Sequence, residues 1–296
     1  MTDATRNRHL EAVPLDIVER YRLDRLPFDR PGTAVADLLR LDGHVAVVTG
    51  GGGDGLGNAI CHRLAEQGAV VAVLDKVLTA ADKTAGQLRD RYGATALSIV
   101  ADITSLAGCR DAVHAVTEAV GAVDLLVNNA GGGFDTVGVD FADLSDDQLA
   151  ALVSLNFSGP LHMSKAVLDA MVKRGSGTII NITSESGLFS TSGIVTYSSC
   201  KAGIIRFSES LAHEVGPRGV RVVSVSPGTL IAERNLERMR GASATHLGPL
   251  DQAMARTSLD RASLPDEVAT VVSFLASAAG GYVHGTNVSV GGGMSG

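Results

Sequence analysis

Short apolar runs that alternate with segments of helical period decide what this chain can fold into. Residues 45–49, Val-Ala-Val-Val-Thr, form an apolar run closed by glycines. Residues 58–67 then carry apolar side chains at helical spacing and stop at Gly68, and residues 70–74 make a second apolar run. The rhythm predicts helices over about 79–91, 105–120, 146–173 and 196–215. Strands are predicted at 96–100, 125–127, 178–182 and 220–225. Strands of four to six apolar residues without polar alternation need cover on both faces, which a parallel sheet flanked by helices supplies. The expected fold is a doubly wound parallel α/β sheet with right-handed crossovers. No linker breaks the alternation, so residues 41–296 are expected to form one domain.

Residues 1–40 differ: they carry Pro14, Pro27 and Pro31 and no β-branched run, and are expected to form an N-terminal arm. Val13, Ile17, Val18 and Tyr21 fall on one helical stripe there. A packing role is the expected use of that stripe, with a clasp over a neighbouring subunit or the active site as the alternative.

Glycine supplies 35 of the 296 residues, about 12% against a usual ~7%. No Gly-x-y period exists and apolar runs separate the glycines, which excludes collagen-like and low-complexity structure and leaves tight turns and close approach to a ligand. Charge narrows the partner: with 25 Lys and Arg against 32 Asp and Glu the net charge is -7. No long basic stretch exists, so neither nucleic acid nor an anionic membrane is an expected partner. No apolar run reaches the ~20 residues of a membrane span, and the first residues lack the apolar centre of a signal peptide, so the cytoplasm is the expected location. Cys61, Cys109 and Cys200 are odd in number and widely spaced, which fits buried small hydrophobes rather than a disulfide framework. Neither they nor the eight histidines show ligand spacing, and no metal site is expected.

The first strand runs into Thr49-Gly-Gly-Gly-Gly-Asp-Gly-Leu-Gly57 and opens a helix. A Rossmann-type dinucleotide site needs this: glycines let the backbone approach the pyrophosphate, and the helix start offers free N–H groups and partial positive charge. Gly50, Gly51, Asp54, Gly55, Leu56 and Gly57 are therefore candidate cofactor contacts. Asp75 ends the second strand near the ~20-residue offset expected of the carboxylate that accepts from adenosine ribose hydroxyls. That carboxylate repels a 2′-phosphate and Asp54 adds negative charge, whereas Lys76 argues mildly for NADP; NAD is the expected cofactor.

Later motifs resemble the short-chain dehydrogenase/reductase family over about residues 41–293. Asn128-Asn-Ala-Gly131, Ser184 after the fifth strand, Tyr197-Ser-Ser-Cys-Lys201, Pro227-Gly228 after the sixth strand and Asn156 in Leu-Asn-Phe-Ser-Gly match that family's pattern. The resemblance implies a catalytic set of Asn156, Ser184, Tyr197 and Lys201. It adds Asp102 and Ile103 beside the adenine, Asn129, Ala130 and Gly131 along the cofactor cleft, and Pro227, Gly228, Thr229 and Ile231 near the nicotinamide. It also implies that Tyr197 and Lys201 touch the cofactor, that Lys201 holds the nicotinamide ribose, and that Asn156 holds a water on a proton path. Asn128 is expected to support the sheet instead. The residues give their own argument: Tyr197 and Lys201 share a helix face, and an ammonium beside a phenol favours the phenolate. A tyrosine so tuned exchanges a proton with a carbonyl/alcohol pair near neutral pH, and Ser184 would hydrogen-bond the reacting oxygen. Thr183 and Ser186 are the neighbouring hydroxyls.

The chain departs from the family pattern in places. Four residues, Gly51 to Asp54, separate Gly50 from Gly55 where the family commonly has three. Val290-Gly-Gly stands where Asp-Gly-Gly is frequent, the arm is long, and the run Gly291, Gly292, Gly293 has no assigned role.

Residues about 229–263 break the rhythm and correspond by resemblance to a substrate lid. They include Arg234, Arg238, Arg240, His246 and Arg256, expected on a solvated face, with an anionic substrate as the alternative. Leu188, Phe189 and Ile194 would give the pocket an apolar wall. The expected substrate is a secondary alcohol or ketone on a small, cyclic or mostly apolar skeleton. Family members are commonly tetramers or dimers, so a homo-oligomer is expected. A non-catalytic NAD-binding sensor or scaffold and a dehydratase or epimerase of the same fold are the alternatives; an enoyl reductase would place Lys seven after Tyr197, where Ile204 stands.

Overall fold

The computed structural model describes residues 14–21, 33–231 and 254–294. Two short helices lead in: α1 (Leu15–Tyr21) and α2 (Val35–Leu38). Val18 of α1 is buried but Tyr21 is 64% exposed, so the stripe predicted for the arm is realised only in part; Val13 lies outside the described residues.

Seven parallel strands follow: β1 (Val45–Thr49), β2 (Val70–Asp75), β3 (Ala96–Val100), β4 (Leu125–Asn128), β5 (Gly177–Ile182), β6 (Val220–Pro227) and β7 (Asn287–Val290), ordered β3-β2-β1-β4-β5-β6-β7. The connecting helices are α3 (Leu56–Glu66), α4 (Leu78–Tyr92), α5 (Leu106–Val120), α6 (Asp146–Val153), α7 (Gly159–Arg174), α8 (Val195–Val215) and α9 (Pro265–Ala276). The doubly wound sheet predicted from the strand–helix rhythm is therefore present.

Alternation along each strand builds two cores. Ala46 and Val48 face Ile60, Leu64, Leu88, Val268 and Val272 of α3, α4 and α9, while Val45 and Val47 face Val116, Met163, Val167 and Leu211 of α5, α7 and α8. All three cysteines are free and buried, Cys61 and Cys109 within these two cores. The order reverses between β1 and β4, so their carboxyl ends open the crevice in which such sheets bind ligands.

The structure differs from the sequence expectation at two places. The helix predicted over 146–173 is interrupted by a π-helical turn, Ser154–Ser158, that carries Asn156. Neither α9 nor β7 was anticipated; β7 is an edge strand, Asn-Val-Ser-Val, with no continuous apolar run to announce it. No helix among the described residues is long and apolar enough to cross a membrane.

Candidate active site

The loop after β1 meets both demands of a phosphate cradle. A Cβ on Gly57 would fall 2.1 Å from the Gly50 carbonyl oxygen, and one on Gly50 would fall 2.9 Å from Ala130 Cα, so turn, helix and the loop after β4 close on one another. Gly50 has φ +62, and the Gly51 N–H continues the ladder to Leu74 O at 3.2 Å. Gly50 thus makes the tight turn, and the longer loop is absorbed by the bend through Gly52, Gly53 and Asp54, outside that crossing. Gly55 is different: its φ is -111 and a Cβ there would meet nothing within 4 Å. The protein itself gives no reason for glycine at the uncapped start of α3, whereas a nucleotide phosphate lying on those N–H groups does. The residues fit a dinucleotide.

Asp75 ends β2 beside this loop. Its carboxylate accepts from the Gly52 N–H at 3.1 Å and the Val77 N–H at 3.0 Å, so it also shapes the turn. Asp54 pairs with Lys83 of α4 on the surface. Leu56 packs on the core as the first residue of α3. The Asn129 amide donates to Thr49 O and Gly50 O, and Thr49 Oγ1 accepts from Asn129 and Ala130 N–H groups. Asp102 lies beyond β3, its carboxyl held below the ordinary range by hydrogen bonds from Thr104. Ile103 is buried against Gly159, and its carbonyl lies 3.2 Å from His162 Nδ1.

Lys201 and Asn156 converge on Gly131. A Cβ on Gly131 would fall 2.8 Å from Asn156 Oδ1 and 3.2 Å from Lys201 Nζ. Asn156 clamps the Gly132 peptide from both sides: Oδ1 accepts its N–H at 2.9 Å and Nδ2 donates to its carbonyl at 2.9 Å. Lys201 is buried; its Nζ donates to Ile182 O at 3.0 Å and stands 5.5 Å from the Tyr197 ring centroid. Burial pushes the ammonium down to about 8. Tyr197, one turn earlier on the same face of α8, is half-buried.

A polar chain fixes α8 against the sheet: Asn128 Nδ2 donates to Asn181 Oδ1 at 2.8 Å, and Asn181 Nδ2 to Ser208 Oγ at 2.8 Å. Asn128 thus supports the sheet, as predicted. Ser184 follows β5 in extended conformation, and its Oγ accepts from the Ser186 N–H at 3.2 Å and from Ser186 Oγ at 3.0 Å. Thr183 is buried, its hydroxyl bonded to Val225 O and Ser226, so it is part of the sheet. The 3-10 turn Glu185–Gly187 packs on α8, since a Cβ on Gly187 would meet Ala202 N at 2.8 Å.

The sequence reading passed over Glu185. It is 1% exposed, burial raises its carboxyl above the ordinary range, and Ser289 Oγ donates to Oε1. An acidic residue between two serines, three positions past the end of β5, was the available signal.

Beyond Pro227, the Gly228 N–H bonds to Val290 O at 3.1 Å. Thr229 O accepts from the Ser263 N–H, and the Ile231 N–H donates to Ser263 O, both at 2.9 Å, so Ile231 spends that N–H on the base of the predicted lid. Arg256 donates to Ser190 O at 2.9 Å, tying the lid base to the loop that bears Phe189. Arg234, Arg238, Arg240 and His246 lie outside the described residues.

Comparison with known proteins agrees with this geometry. Residues 44–240 match the family model described as short chain dehydrogenase. The chain is 33% identical over 257 residues to the 3-oxoacyl-(acyl-carrier-protein) reductase of Vibrio cholerae, covering 86% of this chain and 99% of that protein. Among solved structures, a 7α-hydroxysteroid dehydrogenase complexed with NADH and a 7-oxo bile acid superposes with TM-score 0.79 at 30% identity, over 88% of this chain and 98% of the other. A gluconate 5-dehydrogenase from Burkholderia cenocepacia, in complex with NADP and tartrate, gives TM-score 0.79 at 31% identity with the same coverage. With the family model covering residues 44–240 and a relative 33% identical over 86% of this chain, the chain belongs to the short-chain dehydrogenase/reductase family, whose chemistry is nicotinamide-dependent oxidoreduction at CH–OH groups.

Proposed function

We propose that this protein interconverts a secondary alcohol and a ketone on a small, cyclic or mostly apolar skeleton, with NAD(H) as the preferred cofactor. The observation that carries the reading is the buried Lys201, held by Ile182 O and facing the Tyr197 ring at the bottom of the cleft that opens on Gly131. Bound nicotinamide would supply or accept the hydride. Tyr197 gives its phenolic proton to the carbonyl oxygen in reduction and takes it back in oxidation. Lys201 favours the phenolate, and Ser184 Oγ, steadied by Ser186, holds the reacting oxygen. Asn156 keeps Gly131 and Gly132 in the shape that lines the cleft.

Support for NAD comes from Asp75, whose carboxylate ends β2 beside the loop after β1 and would repel an adenosine 2′-phosphate there; the charge of Asp54 is offset by Lys83. Support for an apolar substrate comes from Leu188, Phe189 and Ile194 between the two catalytic hydroxyls, and from the steroid ketone bound by one structural relative. The family resemblance supports a cytoplasmic homo-oligomer, a dimer or tetramer, with residues 41–296 as the catalytic domain and 1–40 as an arm.

The test is oxidation of NADH and NADPH in the presence of a 7-oxo steroid, a substituted cyclohexanone and acetoacetyl-CoA. Tyr197→Phe is expected to cut turnover about 10³-fold while NADH affinity is kept. Tight NADH binding without turnover of any ketone would favour the non-catalytic sensor instead.

A further inference from the structure

Among the described residues, Glu185 is the buried carboxylic acid, and the proposed chemistry gives it nothing to do. Its Oε1 accepts from Ser289 Oγ and its Oε2 has no hydrogen-bond partner. A Cβ built on Gly291 would fall 1.9 Å from Glu185 Cδ and Oε1 and 2.0 Å from Oε2. The carboxyl therefore lies flat against the Gly291 backbone and fills the space a side chain would take. An unsatisfied buried oxygen costs stability that an apolar side chain would avoid, so its presence next to Ser184 asks for a return in geometry.

Three segments meet at this contact. Glu185 opens the 3-10 turn whose preceding residue is Ser184. Gly291 follows β7 and touches Gly228, where a Cβ would fall 2.8 Å from Gly291 Cα. Gly292 O accepts from the Leu259 N–H at 3.0 Å and from Ser258 Oγ at 3.2 Å, at the base of the segment beyond Pro227. Gly291, the first of three glycines with no assigned role in the sequence, is thus the seat of the Glu185 carboxyl, while Gly292 and Gly293 lie against Thr257, Ser258 and Leu259.

We propose that Glu185 is a positioning residue: its carboxyl, seated on Gly291 and Ser289, latches the turn presenting Ser184 Oγ to the end of β7 and the base of the lid. The proposal rests on the reading of Ser184 as the holder of the reacting oxygen. Gly291 is not at positive φ, and the three atoms nearest an added Cβ all belong to the Glu185 carboxyl, so shortening that side chain removes those contacts.

The experiment is a cycle of Glu185→Ala, Gly291→Ala and the double variant, with Glu185→Gln and Ser184→Ala alongside. Melting is followed without substrate, and turnover with whichever ketone of the panel the unaltered protein reduces fastest. Gly291→Ala alone is expected to lower Tm by roughly 5 °C, and in the Glu185→Ala background by under about 1 °C. Glu185→Ala is expected to lower kcat about 10- to 100-fold with ketone KM and NADH Kd within about twofold. Glu185→Gln keeps the acceptor for Ser289 and is expected to stay within about threefold of the unaltered kcat. Additive Tm losses would overturn the latch. An unchanged kcat in Glu185→Ala, with Ser184→Ala inactive, would overturn the positioning role. If Ser184→Ala keeps full turnover, the reading of Ser184 fails instead, and the melting cycle still decides the latch.

Discussion

Lys201→Met is expected to stabilise the fold at neutral pH while abolishing turnover. Lys201 is 3% exposed and its ammonium is pushed from an ordinary 10.5 down to about 8 by burial. A base that binds its proton more weakly in the folded than in the unfolded chain destabilises the fold wherever it is protonated. The full penalty, ~3 kcal/mol, applies below pH 8 and is relieved as pH rises from about 8 to 10.5. Methionine fills a similar volume without the charge, but the hydrogen bond to Ile182 O goes with the ammonium, a loss of about 1–2 kcal/mol. The balance at pH 7 is about 1–2 kcal/mol in favour of the variant, or roughly 2–6 °C in Tm.

The assay is thermal unfolding of both proteins without cofactor from pH 7 to 10.5, best in a Tyr197→Phe background so that the phenol does not titrate. The unaltered lysine protein gains about 1.4 kcal/mol per pH unit from this group between pH 8 and 10.5, and the variant gains nothing from it. The two melting curves therefore converge and cross near pH 9. A variant less stable than the parent at pH 7, or a Tm difference that does not change over this range, would refute the argument that burial alone depresses Lys201. The ammonium would then be held by compensating contacts, and the fold would owe it stability.

Two further outcomes test the cofactor side. Gly55→Ala is expected to leave Tm within ~1 °C and to weaken NADH binding tenfold or more by fluorescence titration, because a Cβ there meets no protein atom and enters the space assigned to phosphate. Gly57→Ala should instead lower Tm sharply, its Cβ falling 2.1 Å from Gly50 O; equal effects of the two on binding and stability would contradict the cradle. Asp75→Ser is expected to raise the NADPH-to-NADH ratio of kcat/KM by about tenfold and to weaken NADH binding, since the same carboxylate holds the Gly52 and Val77 N–H groups. An unchanged ratio would place the ribose elsewhere.

What the sequence revealed, and what it hid, follows from the range of the forces involved. β1, β2, β4 and β5 were legible because each is buried on both faces, so every residue obeys one rule. Strand β7 obeys no such rule: at the sheet edge its Asn287 answers to Ser224 and Ser226 rather than to a core, and polar residues hide it. The π-helical turn at Asn156 was equally invisible, because the residue it carries bonds to Gly132, 24 residues away, and no local pattern of apolar residues records it. Tyr197 and Lys201 could be paired from spacing alone because four residues on a helix fix a shared face. Glu185 and Gly291 are 106 positions apart, and neither is unusual until the other is beside it. A glycine with ordinary φ signals nothing on its own; it acquires a reason only when a carboxyl occupies the place of its missing side chain. The same test separates the glycines of the cofactor turn, where Gly57 answers to the protein's own backbone and Gly55 to space that the protein leaves empty. Glycine excess was thus readable as a demand for close approach, but whether the approaching group was protein or ligand had to be decided residue by residue from the surroundings of each absent Cβ.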